Sequence, residues 1–122
     1  MSNITDLIDR YFEMWNETDE TRRRELIART WTAGASYVDP MLKAEGPRGI
    51  DTMVQGVQAK YPGLRFRRVG PVDTHNDQLR FAWEFGPEGG AAVVKGIDFG
   101  TLGSEGRLQS ITGFFDQVPA AA

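Results

Sequence analysis

The hydrophobic period of the chain changes near residue 63, and that change restricts the fold more than any other feature. Before it the apolar spacing is helical. Ile4, Leu7, Ile8, Tyr11, Phe12 and Trp15 recur at i, i+3, i+4 and i+7, which places them on one helix face. Ser2 or Asn3 can cap that helix, with Asp6 in its first turn. A second cap at Thr18 and Asp19 opens a helix that carries Leu26, Ile27 and Trp31 inward and is broken by Thr32, Ala33 and Gly34. Residues 35–39 read as a short strand halted by Pro40. After a loop holding Gly46, Pro47 and Gly49, a third helix presents Ile50, Met53, Val54, Val57 and Tyr61, and Pro62-Gly63 stops it. From Leu64 the pattern alternates like a strand. Four strands are predicted, over 64–74, 78–86, 91–102 and 107–118, separated by turn-forming residues. Helices followed by a run of strands indicate an α+β fold. Gly96, Gly100 and Gly113 inside strands point to bends, hence a curved sheet with a concave space beneath it.

At 122 residues the chain is expected to form a single domain, residues 1–122, with one core that needs no disulfide or metal staple. A net charge of −3 lacks the basic footprint of nucleic-acid or anionic-membrane binding. The two arginine-rich runs, 22–24 and 65–68, fit solvated faces of a helix and a strand. The chain has no cysteine, which excludes disulfides, thiol nucleophiles and thiolate metal sites, and its single His75 does not build a metal cage. No metal or organic cofactor is called for. No run approaches the ~18 apolar residues of a membrane span, and no signal-peptide core opens the chain. A cytoplasmic protein is therefore expected, with residues 120–122 as a frayed end.

Asp98 is the most informative polar position. Within AAVVKGIDFGTL only Lys95 and Asp98 are charged, and strand alternation puts them on opposite faces. If the Asp98 face is concave, the carboxyl is desolvated, its pKa rises, and the neutral acid can donate a hydrogen bond. A bulge that exposes Asp98, or backbone donors to it, would remove that property. Asp39 ends a strand before Pro40, which is ordinary turn chemistry; pointing inward beside Tyr37 it would instead be a candidate base. Tyr11 lies in the core stripe of the first helix, either as packing or with its hydroxyl aimed towards Asp98. His75, in a His-Asn-Asp turn, is read as solvated. Trp15, Phe81, Trp83, Phe85 and Phe115 serve equally well as core or as the lining of an apolar site.

Three short strings, Asp9-Arg10-Tyr11, Val38-Asp39-Pro40 and Gly96-Ile97-Asp98, resemble in order and spacing the segments of ketosteroid isomerase that carry its catalytic groups. Over almost the whole length the layout is similar to the nuclear transport factor 2-like, or SnoaL-like, superfamily. The resemblance implies a cystatin-like cone, with three N-terminal helices packed on a strongly curved mixed or antiparallel sheet around an internal pocket. It implies Asp39 as a general base that moves a proton beside a carbonyl. Tyr11 and a neutral Asp98 would be the donors to the enolate oxygen, converging on one point across the pocket from Asp39. It places Phe81, Trp83, Phe85, Gly113 and Phe115 at the pocket, with Trp15, Tyr37, Met53 and Val57 completing the substrate-binding surface. The ligand is then an apolar small molecule, and the activity that of an isomerase or a polyketide cyclase. The alternative is a non-catalytic binding or dimerisation module of the same fold. Two departures stand out: Val57 occupies the place of the isomerase's supporting tyrosine, and Gly96 that of an arginine used by the superfamily's epoxide hydrolases. Pairing of such folds through the outer sheet face implies a homodimer, with Ile97, Phe99 and Phe114 on that face.

Overall fold

The computed structural model describes residues 3–118. Helix α1 runs Asn3–Asn16, α2 Glu20–Thr30 and α3 Gly46–Lys60. Strand β1 spans Trp31–Val38, β2 Lys43–Glu45, β3 Leu64–His75, β4 Gln78–Pro87, β5 Val94–Leu102 and β6 Leu108–Gln117. The sheet order is β2-β1-β6-β5-β4-β3. β1 lies parallel to β6, and the other neighbours are antiparallel. The fold is thus an α+β cone, with three helices on a strongly curved, mixed six-stranded sheet.

The predicted helix faces point into the core, except that Tyr61 lies just past the end of α3 and is 37% exposed. Leu7, Ile8, Tyr11, Phe12 and Trp15 from α1 are buried, as are Leu26 and Ile27 from α2 and Ile50, Met53 and Val54 from α3. Asp19 caps α2 by accepting from the Arg22 N–H at 2.9 Å. Ser2, the side chain of Asn3, and the expected frayed end at 120–122 lie outside the described residues.

Trp31 departs from expectation. It opens β1 with φ −114° and ψ 150° instead of closing α2. Its backbone N–H still bonds Ile27, so it caps the helix it does not belong to. Its indole N–H reaches the Met14 sulfur at 3.1 Å. A bulky aromatic fits a half-buried pleated surface, and here that preference outweighs the helical spacing. Thr32, Ala33 and Gly34 continue the strand through an irregularity in its pairing with β6. Strand β2 was not anticipated because three residues carry no detectable alternation. Gly46 and Pro47 open α3 instead of preceding it, with proline in the first turn, where its missing N–H costs nothing. Residues 91–93 form a loop, held by the Val93 N–H on the Phe85 carbonyl at 2.8 Å, and β5 begins at Val94.

Asp51 of α3 pairs with two arginines of α2, Arg23 and Arg24, so Arg23 leaves the solvated face expected of residues 22–24. Arg23, 2% exposed, donates from Nε to Asp51 at 2.7 Å and also reaches the Glu17 carbonyl and Gln58. It fixes α2 against α3 and so sets one side of the cone.

Candidate functional site

The register of β4, β5 and β6 builds the polar centre. Asp98 stands opposite Phe81 on β4 and Gly113 on β6. Two pairs along, on the same face, Trp83 stands opposite Gly96. A Cβ on Gly96 would lie 2.3 Å from Trp83 Cζ2 and 2.4 Å from the Phe114 carbonyl oxygen. Glycine therefore lets the indole lie over β5, and Trp83 Nε1 donates to Asp98 Oδ1 at 2.9 Å. From α1 the Tyr11 hydroxyl donates to Asp98 Oδ2 at 2.8 Å. Both carboxyl oxygens are thus occupied, and Asp98 is only 3% exposed.

Burial raises the Asp98 pKa to about 7, the bonds from Tyr11 and Trp83 oppose that rise, and the charge of Asp39 adds to it. Burial also pushes Tyr11 well above the ordinary phenol range, followed by the negative charge of Asp98. Tyr37 is raised in the same way, by burial first and then by Asp98 and Asp39.

Asp39 lies just past β1, half-buried. Its Oδ1 accepts from the backbone N–H groups of Met41 and Leu42, each at 2.8 Å. Its Oδ2 accepts from the Tyr37 hydroxyl at 2.6 Å. Asp39 therefore does two things at once: it closes the turn after Pro40, and it stands in the wall of a cavity of about 490 Å³. That volume falls in the range of roughly 300–1,000 Å³ typical of small-molecule sites.

The wall is overwhelmingly apolar. Trp15 and Tyr37 stand near Asp39, Met53 and Val57 come from α3, and Trp83, Phe85 and Phe115 come from the sheet. These seven positions were all legible as candidates. Phe81 and Gly113 are not part of the wall. Phe81 packs its ring 5.5 Å from those of both Tyr11 and Phe12, in the core behind it. Gly113 lies at the gap between the two acids, where a Cβ would be 2.8 Å from Asp98 Oδ1 and 3.2 Å from Asp39 Cβ. Tyr11 and Asp98 also sit behind the wall, bonded to each other. Leu42, Thr52, Lys60, Tyr61 and Phe66 line the cavity without having been singled out. The N–H of Trp83 on Asp98 was likewise missed, although glycine paired with tryptophan two residues before the aspartate was its signal. Among the described residues, no group of three or more His, Cys, Asp or Glu side chains is placed to hold a metal.

A protein of the SnoaL-like family from Agrobacterium tumefaciens, provisionally named an isomerase, superposes with a TM-score of 0.87. It is 36% identical over 93% of this chain and 97% of its own. The chain belongs to the SnoaL-like family. A nuclear transport factor 2-like protein of unknown function from an Exiguobacterium species matches at 19% identity and a TM-score of 0.73, covering 92% of this chain and 99% of that one. A provisionally named SnoaL-like polyketide cyclase from a Jannaschia species matches at 17% identity and a TM-score of 0.68, covering 95% and 90%. The last two likenesses concern the fold alone. No protein-family profile matches the sequence, and a search of curated proteins returns no significant match. Among the described residues no helix of this SnoaL-like chain is long and apolar enough to cross a membrane.

Proposed function

We propose that this SnoaL-like protein binds an apolar carbonyl compound in the cavity and catalyses cofactor-independent proton transfer on it, as an isomerase or cyclase. One observation carries the reading: among the described residues Asp39 is the one carboxylate in a mostly apolar wall, with its orientation held by Tyr37 and two backbone amides. Three accepted bonds leave Oδ2 a lone pair that can take a proton from carbon. Asp39 is the general base.

Tyr11 and Asp98 act in series in this reading. While Asp98 is ionised, Tyr11 donates to it. Once Asp98 is protonated, the same contact can reverse, with the acid donating to the Tyr11 oxygen. The tyrosine hydroxyl hydrogen is then freed from Asp98 and available to a developing enolate. The closed Tyr11–Asp98–Trp83 cluster also favours a second reading, a binding module whose buried acid is structural.

Deuterium exchange at the acidic carbon of tetralone, a bicyclic aryl ketone, followed by proton NMR separates the two. Exchange that depends on the protein and is lost in Asp39→Asn supports the enzyme. Binding without exchange supports the module. We further propose a cytoplasmic homodimer, paired through the outer face where Phe99 and Phe114 are 41% and 51% exposed with their rings in contact.

A further inference from the structure

The cavity wall contains two charged side chains, Asp39 and Lys60, and the sheet register places them at opposite ends. Asp39 abuts Gly113, which pairs with Asp98. Lys60 ends α3 beside Tyr61, whose ring packs 5.8 Å from that of Phe85, and Phe85 pairs with Val94. Four residues of β5 separate the Asp98 and Val94 rows, about 13 Å at a strand's rise of roughly 3.3 Å per residue. Between the two ends the wall is apolar, formed by Phe66, Trp83, Phe115, Met53 and Val57.

Lys60 is held over the Tyr61 ring, with Nζ 5.5 Å from its centroid. Among the described residues no carboxylate forms an ion pair with it. The nearby charges of the sheet satisfy one another instead: Arg67 and Lys95 both pair with Glu84. Those three alternate with the wall residues Phe66, Trp83, Phe85 and Val94, so they project from the outer face of the sheet.

We infer that Lys60 is a specificity-determining residue, and that the ligand is an elongated apolar carbonyl compound bearing an anionic group about 10–15 Å from the carbon that meets Asp39. The inference rests on the proposed function of the same cavity. A neutral, wholly apolar ligand would leave the lysine unused, whereas a carboxylate or sulfonate there meets an exposed cation at the rim of the cavity.

Two dyes of the same framework test this, anilinonaphthalenesulfonate and its sulfonate-free parent phenylnaphthylamine, titrated by fluorescence on the intact protein. Mutual displacement shows that they share one site. In Lys60→Met, which keeps the apolar stem, the sulfonate should bind about fivefold more weakly, and the parent should change by less than about twofold. Lys60→Arg should restore the sulfonate, and added salt should weaken only the sulfonate. A general loosening of the α3 end would affect both dyes alike. Equal changes for both dyes, or none, would overturn the assignment while leaving proton transfer by Asp39 intact. If neither dye binds the wild-type protein, the cavity reading falls and this one with it.

Discussion

Replacing Asp98 by asparagine should change how stability depends on pH, and the size of the effect follows from the burial of the acid. In the folded chain Asp98 titrates at about 7 against an ordinary value of 3.8. The folded pKa is raised, so as pH increases the unfolded chain gives up this proton first. Native stability therefore falls as pH rises from about 4 to about 7, and the loss is complete above that. A rise of about three units corresponds to roughly 4 kcal/mol of lost stability at neutral pH. Asparagine cannot ionise. Its carbonyl can still accept from Trp83 and one amide N–H can donate to the Tyr11 oxygen, as the protonated acid does, which leaves the second N–H as the one added buried donor. Asp98→Asn should then lie up to about 3 kcal/mol below the wild type near pH 4 and gain roughly 4 kcal/mol relative to it between about pH 4 and about pH 8. Urea unfolding followed by tryptophan fluorescence across that range measures the difference, in which the titration of the other carboxylates cancels. Parallel stability profiles for the two proteins would refute the claim that Asp98 is a desolvated acid.

Gly96→Ala should destabilise the chain by about 1–3 kcal/mol in urea unfolding, because the added Cβ collides with the Trp83 ring and the Phe114 carbonyl. Arg23→Met leaves the buried Asp51 with only the exposed Arg24 as its cation and should cost about 1–3 kcal/mol, while the double variant Arg23→Met with Asp51→Leu should recover much of that loss in the same assay. Gly113→Ala closes the gap between the acids and should slow tetralone exchange at least tenfold, with a stability loss below about 2 kcal/mol. Phe114→Glu should convert the proposed dimer to monomer in sedimentation velocity without changing the far-ultraviolet circular dichroism.

The fold was legible where one side-chain period ran for several turns or pairs. The stripe from Leu7 to Trp15 and the alternation around Asp98 placed α1 and β5 correctly because each repeats a single geometric rule. Trp31 was misplaced because its spacing suits a helix while its packing suits a strand, and only the tertiary surroundings decide between them. The site was legible residue by residue but not in depth. Alternation gives the face of a strand and says nothing about which of two inward residues reaches the cavity. Phe81 and Phe85, on the same face of β4, thus end up in the core and in the wall. Lys60 and Tyr61 escaped because they sit where a helix ends, and their approach to Phe85 depends on the path of the chain through Pro62 and Gly63.

Tetralone exchange by the wild type, by Asp39→Asn and by the cavity-filling variant Val57→Trp, run side by side, tests most directly whether the cavity and its carboxylate form one catalytic site. The account predicts exchange above the buffer rate for the wild type alone, with Asp39→Asn still binding the ketone and Val57→Trp no longer binding it. Exchange that persists at the wild-type rate in Asp39→Asn would contradict the assignment of Asp39 as the base.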